Sequence, residues 1–419
     1  MTTLGDTSVA PAPGRIAAFL RPRVGGFPRP FWVLWAGTLI NRLGTMVEPF
    51  LGLYLTTVRG LSLAQAGVVM AVLGAGSLGG QIAGGALADR LGRRATLTLA
   101  TVGTGAAMLA LGYVQGIAAI VAAALVLGVL LDMYRPAAQA LVADLIPPAE
   151  RPRAFGLLFW AINLGWAVAM VLGGTLARQG FLWLFWIDAF TCAGFGILVW
   201  RAIPETRSRD VRSERRGGFG RALRDRVMVG YVLVTLVYTF VLMQGLTTMP
   251  LAMKEDGLGP QSYGFAIAAN GVLIIMVQPL VNAWLARRDH SLVMVAGFIL
   301  VGTGYGLTSL ASTVLAYTAT ILVWTLGEIT AASVLQAVVA DLAPPDLRGR
   351  YGGLYGMAWS GGFLLAPLGG TQLLGRGGAP ALWLTCAGLA LAAAAALLAL
   401  APAIRRRHAA ALGAHFSSK

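Results

Sequence analysis

Residues Gly84 to Arg94 read GGALADRLGRR. Long apolar stretches flank this segment on both sides, so it forms a short connection between two hydrophobic helices. It contains one acid, three arginines and three glycines. Charge is costly near the interior of a bilayer, and three glycines give so short a connection unusual backbone freedom. We therefore interpret the segment as part of the moving machinery of a membrane protein.

The composition of the whole chain supports a membrane protein. Of its 419 residues, 57% are hydrophobic and only 12% are charged, whereas soluble chains carry about 25% charged residues. Apolar stretches of about 20 residues can cross the hydrocarbon core, and they do so as helices because lipid offers the backbone no hydrogen bonds. The sequence predicts twelve spans, which we number 1 to 12: 31–57, 63–88, 95–115, 118–146, 152–177, 181–202, 228–253, 260–286, 291–312, 315–343, 349–374 and 380–402.

The net charge of +15 is distributed in a way that predicts orientation. If residue 1 is cytoplasmic, 26 of the 32 Lys and Arg residues fall in cytoplasmic segments. Such a bias places both termini inside the cell, in a multi-pass protein of the cell membrane. The basic segments are expected to lie near anionic lipid, and no nucleic-acid partner is expected. The polar, Pro-rich start of the chain predicts no signal peptide.

The two halves of the chain repeat each other. Gln139–Arg153 reads QALVADLIPPAERPR, and 197 residues later Gln336–Arg350 reads QAVVADLAPPDLRGR. Six spans return the chain to its starting side, so the repeats run parallel, an arrangement found in secondary transporters. The predicted organisation is a cytoplasmic tail, a six-helix bundle, a basic linker, a second six-helix bundle and a second tail: 1–30, 31–202, 203–226, 227–403 and 404–419.

The opening segment resembles the signature loop of the major facilitator superfamily. Its pattern G-x-x-x-D-R-x-G-R-R between spans 2 and 3 is carried by Gly85, Asp89, Arg90, Gly92, Arg93 and Arg94. The twelve spans and the parallel repeat resemble the same superfamily. The segment RPAAQALVADLIPP, which begins at Arg135, is similar to the bacterial multidrug/proton antiporter branch. The resemblance implies an all-α membrane protein with two parallel six-helix repeats, working by alternating access.

The resemblance also implies a gate at the cytoplasmic side. Asp89 would accept hydrogen bonds from the free N–H groups at the start of span 11, near Gly349–Gly352, where the helix dipole is positive. Arg93 or Arg94 would pair with Asp144 at the end of span 4. The corresponding turn of the second half has lost the acid, so the latch is expected to be one-sided. The alternative is a turn that only sets orientation.

Span 5 departs from the drug-antiporter pattern of the superfamily. Gly156, Gly165, Gly173 and Gly174 have the spacing of that pattern. A Gly-Pro pair of the pattern is replaced here by Ala169-Met170. Small residues let helices approach closely, and the sequence leaves open whether these glycines serve packing or gating.

A few ionisable residues lie within the spans. In the superfamily, spans 1, 4, 7 and 10 line the central cavity, and such groups within a membrane are functional candidates. The proton-coupling candidates are Arg42, Glu48, Asp132, Arg135 and Glu328. Alternatives are a static Asp132–Arg135 ion pair, and a role for Glu48 and Glu328 in binding substrate only. Asp188 in span 6 has no obvious partner, and we interpret it as a structural acid.

The predicted substrate cavity is polar and aromatic. Its expected lining residues are Asn41, Tyr134, Trp160, Asn163, Tyr238, Gln244 and Trp324. A cavity of this kind suits small lipophilic or cationic compounds, and the leading hypothesis is their proton-driven export. The alternative is proton-coupled uptake of a sugar, amino acid or peptide, in which Arg42 or Arg135 binds an anionic group. Without a P-loop, HExxH or CxxC motif we expect no enzyme, cofactor or metal, and we expect a monomer whose partners are the substrate, protons and lipid.

Overall fold

In the computed structural model, the regular elements are all helices. The structure describes residues 26–147, 150–205, 220–285, 287–344 and 347–417. The helices, numbered in chain order, are α1 Arg29–Gly44, α2 Val47–Thr57, α3 Leu63–Leu91, α4 Arg93–Tyr113, α5 Ile117–Leu145, α6 Arg151–Ala177, α7 Leu182–Ala202, α8 Gly220–Leu223, α9 Arg226–Thr247, α10 Met249–Glu255, α11 Pro260–Leu285, α12 His290–Thr308, α13 Val314–Leu342 and α14 Arg348–Ser417.

The described residues include ten helices that are long and apolar enough to cross a membrane. The last of them, within α14, covers predicted spans 11 and 12 and breaks at Gly378, whose φ of 72° is favourable only for glycine. Predicted span 1 is divided into α1 and α2, which are each shorter than a full span. The all-helical fold predicted from the sequence is confirmed, and the helices are consistent with twelve spans.

Two predicted spans are not continuous helices. Span 1 breaks at Thr45–Met46, between α1 and α2, and span 7 breaks at Thr248, between α9 and α10. A proline follows each break within three residues, at Pro49 and Pro250. Proline lacks an N–H and is tolerated in the first turn of a helix but not in its interior. Helices α2 and α10 are therefore separate short helices, each beginning after the break in its span. Both lie near the same end of the molecule.

The two ends of the helix bundle differ in charge. We call the end that carries the arginines at 93–94, 151, 153, 287–288 and 405–407 the basic face. It is the end that the sequence predicts to be cytoplasmic. The other end, with Arg59, Arg178 and Lys254, is called the opposite face.

The two halves of the chain touch closely at the opposite face. The Nη1 atom of Arg178 lies 2.5 Å from Oε1 of Gln261, and the ammonium of Lys254 lies 3.5 Å from the Thr56 hydroxyl. A Cβ built on Gly174 would lie 2.7 Å from the carbonyl oxygen of Pro260. Glycine is therefore required for this backbone approach between α6 and α11.

Towards the basic face the halves diverge around a cavity of about 580 Å³. We call it the central cavity. Helices α3 and α5 form one wall, and α13 and α14 form the other. Its lining residues are Gly74, Ser77, Gln81, Asp132, Arg135, Pro136, Gln139, Ala332, Leu335, Gln336, Gly352, Tyr355, Gly356, Trp359, Ser360 and Phe363. Because the two halves meet at the opposite face, the central cavity opens towards the basic face.

Candidate functional site

One wall of the central cavity carries an ion pair. Asp132 and Arg135 lie one turn apart on α5, and their side chains meet at 2.6 Å. The amide of Gln81, on α3, lies 3.4 Å from the Asp132 carboxylate. The Asp132 side chain is 13% exposed and that of Arg135 is 51% exposed. The guanidinium therefore faces the cavity while the carboxylate lies behind it.

A smaller pocket of about 40 Å³ lies next to this ion pair, and we call it the polar pocket. Four more residues predicted from the sequence line it: Asn41, Arg42, Glu48 and Tyr134. Arg42 donates a hydrogen bond to the Tyr134 hydroxyl and its charge lies within 5.6 Å of the Tyr134 ring centre. The structure thus brings together four of the five coupling candidates, drawn from α1, α2 and α5.

Glu48 lies among the other charged residues of the polar pocket. It is the second residue of α2, and Asp132, Arg135 and Arg42 are its electrostatic neighbours. Two acids and two arginines therefore share one site. Movement of a proton onto either acid would change the net charge of the cluster and the forces between α2 and α5.

Asp188 also lines the polar pocket, which the sequence did not indicate. It is buried, with 2% of its surface exposed, and its carboxylate accepts a hydrogen bond from the Val47 backbone N–H at 3.4 Å. The Cys192 thiol donates to it at 3.6 Å, and the Asn41 amide donates to the Cys192 sulfur at 3.0 Å. Asp188 thus caps α2 at the break in span 1. The hydropathy pattern does not reveal that break. The sequence alone therefore gives no partner for Asp188.

Glu328, the fifth candidate, lies apart from the other four. It is on α13, in the second half of the chain, where the Asn270 amide donates to its carboxylate at 2.8 Å. The same amide group donates to the Thr325 hydroxyl at 2.9 Å. Asn270 and Thr325 are uncharged, so within the described residues the surroundings of Glu328 are polar but not cationic. The two halves therefore hold chemically different sites.

The other predicted cavity residues occupy varied places. Trp160 stacks on Trp35 at 6.4 Å, and the Asn163 amide donates to the Phe159 carbonyl within its own helix. Gln244 is fully buried and donates to the Ala366 carbonyl at 3.1 Å. In that position Gln244 holds α9 against α14 rather than facing the central cavity.

Tyr238 and Trp324, also predicted, are buried in the second half. Tyr238 stacks on Phe298 at 4.5 Å, and Trp324 stacks on Tyr305 at 5.6 Å. The Tyr238 hydroxyl and the Trp324 indole N–H have no hydrogen-bond partner among the described residues. Tyr238 also contacts the lining of the central cavity, since its ring meets that of Trp359 at 6.4 Å.

Phe363 is shared by three cavities, and the sequence analysis did not single it out. It lines the central cavity, the polar pocket and a further pocket of about 30 Å³ that also contains Glu48. Its backbone carbonyl would lie 3.3 Å from a Cβ built on Gly74. Phe363 therefore stands at the floor of the central cavity, above Glu48.

The predicted gating loop is held at the basic face within the first half of the chain. Arg93 is buried and lies 3.1 Å from Asp144, which is one of the two pairings that the sequence predicted. Gly92 has a φ of 100°, which explains a glycine at the turn. Gly85 has open space around it, and Arg90 is exposed.

The Asp89 side chain lies outside the described part of the structure, so its predicted contact with the start of α14 stays a prediction. A different acid, Glu205, takes part in the turn. Its carboxylate accepts from the backbone N–H groups of Arg94 at 3.1 Å and Ala95 at 3.2 Å. Such a carboxylate complements the positive end of α4. It lies just after α7, where no motif marked it.

A second ion pair holds the basic face of the second half. Asp225 caps α9 by accepting from the backbone N–H groups of Val227 and Met228, and Arg407 binds its carboxylate with two nitrogens at 2.5 and 2.8 Å. Although partial burial opposes ionisation, the hydrogen bonds from Arg407 and Tyr351 lower the pKa of Asp225 to about 2. This contact ties the end of the predicted linker to α14.

Within the described ranges, no three His, Cys, Asp or Glu side chains are grouped so as to hold a metal ion.

Comparison with known proteins agrees with this architecture. The family model described as Major Facilitator Superfamily matches residues 34–259 and 245–417. The "Na(+), Li(+), K(+)/H(+) antiporter" of Planococcus maritimus is 24% identical over 77% of this chain and 84% of its own length. The "Multidrug resistance protein MdtH" of Cronobacter sakazakii is 28% identical over 71% of this chain and 74% of its own length.

Among solved structures, the chain resembles a peptide transporter POT crystallised in complex with sulfate. The TM-score is 0.77 at 17% identity, over 91% of this chain and 96% of that one. At this identity the likeness concerns the fold.

Proposed function

Because the chain belongs to the Major Facilitator Superfamily, we propose that it is a secondary transporter that exports small lipophilic or cationic compounds in exchange for protons. One observation carries the proposal. The polar pocket, with Glu48, Asp132, Arg42 and Arg135, adjoins a central cavity that opens towards the basic face. If that face is cytoplasmic, the conformation is the one that loads a substrate from inside the cell.

The coupling step follows from the charges of the polar pocket. Asp132 is neutralised by Arg135 at 2.6 Å, with the arginine half exposed to the cavity. A proton that binds Asp132 would release Arg135 and leave a positive charge at the cavity wall. That charge repels a cationic substrate and attracts the neighbouring Glu48. Proton binding and cation binding would therefore oppose each other, which is the condition for antiport.

The names of two similar proteins support proton exchange and drug export separately. One relative is called a cation/proton antiporter and another a multidrug resistance protein. The loss of the Gly-Pro pair in span 5, replaced by Ala169-Met170, weakens the analogy with drug antiporters but leaves the close glycine contacts of α6 in place.

The test is transport by the purified chain in proteoliposomes. A proton gradient should drive accumulation of a fluorescent cation such as ethidium by the wild type. Asp132→Asn should remove gradient-driven accumulation while it still permits exchange of ethidium down its own gradient. The matched control is Glu150→Gln, since Glu150 and Arg153 form an ion pair of the same spacing and the same 2.6 Å length at the basic face. Full gradient-driven transport by Asp132→Asn would refute the assignment.

A second candidate function is proton-coupled uptake of an anionic metabolite. The half-exposed guanidinium of Arg135 favours it, since arginine binds carboxylate and phosphate well. Arg135→Gln should abolish uptake of an anion but only alter the rate of cation export. Gradient-driven accumulation of a carboxylate substrate by the wild type, lost in Arg135→Gln, would favour uptake over export.

A further inference from the structure

The polar pocket has an excess of negative charge. Its lining contains three carboxylates and two guanidinium groups, from Glu48, Asp132, Asp188, Arg42 and Arg135. With all five groups ionised, three negative and two positive charges leave a net charge of −1. A charge buried away from water is costly unless it is neutralised. The pocket therefore requires one more positive charge, from a proton or a monovalent cation, and a divalent cation would leave it positive.

The uncompensated charge belongs to Asp188. Asp132 is paired with Arg135 at 2.6 Å, and Glu48 has both arginines of the pocket as electrostatic neighbours. Asp188 is 2% exposed, and its hydrogen-bond donors, backbone N–H groups and the Cys192 thiol, are all neutral. Among the described residues, no cationic side chain pairs with it.

Three buried threonines line the pocket together with Asp188, namely Thr45, Thr101 and Thr104. Each hydroxyl donates its hydrogen to the backbone carbonyl four residues earlier, at 2.8 to 3.1 Å. A hydroxyl group has one hydrogen and two lone pairs, so these oxygens have no further hydrogen to donate but can still coordinate a cation. A proton needs one acceptor, whereas a hard cation needs several oxygen ligands. The arrangement favours a cation.

Close helix packing brings these groups together. A Cβ built on Gly105, next to Thr104 on α4, would lie 2.7 Å from the carbonyl oxygen of Ala189, next to Asp188 on α7. The break in span 1 adds the end of α1 to the same pocket. In secondary transporters, the unwound backbone at such breaks coordinates Na⁺.

The size of the polar pocket also favours an ion. Its volume is about 40 Å³, and about 10–15 Å³ is enough for one water molecule. Sites for drug-sized ligands occupy about 300–1,000 Å³, a range that includes the central cavity of about 580 Å³. The polar pocket therefore has room for an ion but not for such a solute.

We propose that Asp188 and the hydroxyl oxygens of Thr45, Thr101 and Thr104 bind a sodium ion in the first half of the chain. The ion supplies the positive charge that the pocket lacks. Such a site uses one carboxylate with neutral oxygens, so it needs no cluster of three acids. Its meaning for transport rests on the proposed export function, in which sodium would act as a second driving ion, but the binding of sodium does not.

The experiment is equilibrium binding of radiolabelled Na⁺ to the full-length chain in lipid nanodiscs at a fixed alkaline pH. The wild type should bind Na⁺ saturably, and unlabelled Na⁺ but not choline should displace it. Asp188→Asn keeps an oxygen to cap α2 but removes the charge, and it should raise the Kd by about tenfold or more. Thr104→Val keeps the shape of the side chain without its oxygen, and it should raise the Kd about three- to tenfold.

The matched control is Thr235→Val on α9. Thr235 is also buried, and its hydroxyl donates to the Tyr231 carbonyl four residues earlier at 2.9 Å. It is not part of the polar pocket, so this variant should bind Na⁺ with the Kd of the wild type.

Three outcomes would overturn the site. The wild type shows no saturable Na⁺ binding, Asp188→Asn binds with the Kd of the wild type, or Thr235→Val weakens binding as much as Thr104→Val does. Melting temperatures near that of the wild type establish that the variants are folded. If Asp188→Asn does not fold, Thr101→Val and Thr104→Val decide, and an unchanged Kd in both overturns the site.

Failure of the site and failure of the proposed function are distinguishable. If Na⁺ binds as described but no ion gradient drives ethidium transport, the export function fails while the site stands. If a proton gradient drives ethidium transport but Na⁺ does not bind, the site fails while the export function stands.

Discussion

The two halves of the chain touch at the opposite face, and we call this contact the seam. Its role can be tested by a single added methyl group. In the structure, Gly174 of α6 faces the start of α11 in the other half of the chain. A Cβ at this position would lie 2.7 Å from the Pro260 carbonyl oxygen and 3.0 Å from Cα of Gln261. These are backbone atoms, so neither can turn aside as a side chain would. Gly174→Ala should therefore push the halves apart where they now touch.

The size of the effect follows from the cost of overpacking. Adding a methyl group to a tight contact costs about 1–3 kcal/mol. Alanine also stabilises a helix by up to about 1 kcal/mol relative to glycine, but that gain is present whether the seam is open or closed. The balance between the two conformations should therefore shift by about 5- to 150-fold away from the state with the seam closed.

The control is Gly156→Ala on the same helix. A Cβ on Gly156 has nothing within 4 Å, so this variant gains helix propensity without a clash. Any difference between the two variants is then due to the seam alone.

The assay is electron spin resonance distance measurement across the opposite face. Spin labels at Gln179→Cys and Ser312→Cys report the separation of the two halves there. The native Cys192 and Cys386 are buried, and the parent protein checks that they do not label. Gly174→Ala should enrich the longer distance, whereas Gly156→Ala should match the wild type. Identical distance distributions in all three would refute the view that this contact limits opening.

Two further predictions concern acids outside the central cavity. Because Asp225 has a folded-state pKa of about 2 and an ordinary value of about 3.9 when unfolded, its pairing with Arg407 should stabilise the protein above about pH 4, and the contribution should be lost as the pH falls towards 2. The melting-temperature difference between wild type and Asp225→Asn should thus be constant from pH 8 to 5 and shrink below about pH 4; a difference that persists at pH 2 would contradict the pairing. Asp188→Ala should lower the free energy of unfolding by about 1–3 kcal/mol, since it leaves the Val47 N–H unpaired, while Asp188→Asn, which keeps an acceptor oxygen, should cost less. Equal melting temperatures for the two Asp188 variants would exclude the capping role.

Much of the architecture could be predicted from the sequence because a membrane leaves few choices. Apolar length determines a span, so predicted boundaries such as 63–88 lie close to the helix Leu63–Leu91. The parallel repeat and the loop at Gly84–Arg94 indicated the family before any contact was known. These signals are local or periodic, and a single sequence displays them.

The site was predicted less completely, because its geometry depends on where helices break and how they cross. Arg42, Glu48, Asp132 and Arg135 were recognisable since charges stand out in apolar spans, and they do lie together. Asp188 could not be understood without the interruption of span 1 at Thr45–Met46, which the hydropathy pattern passes over. The aromatic residues that α14 contributes to the lining of the central cavity were missed for another reason, namely that Trp and Tyr are common at membrane interfaces as well as within cores.

In the proposed exchange of solute for protons, the position of Phe363 determines how well the two movements are coupled. The Phe363 ring borders both the central cavity, which would receive a solute, and the polar pocket, which holds Glu48. In that exchange, the Phe363 side chain would be the barrier between the path of the solute and the path of the protons. Phe363→Ala would remove this barrier and join the two cavities. Protons would then cross without solute, and this uncoupled leak would dissipate the gradient.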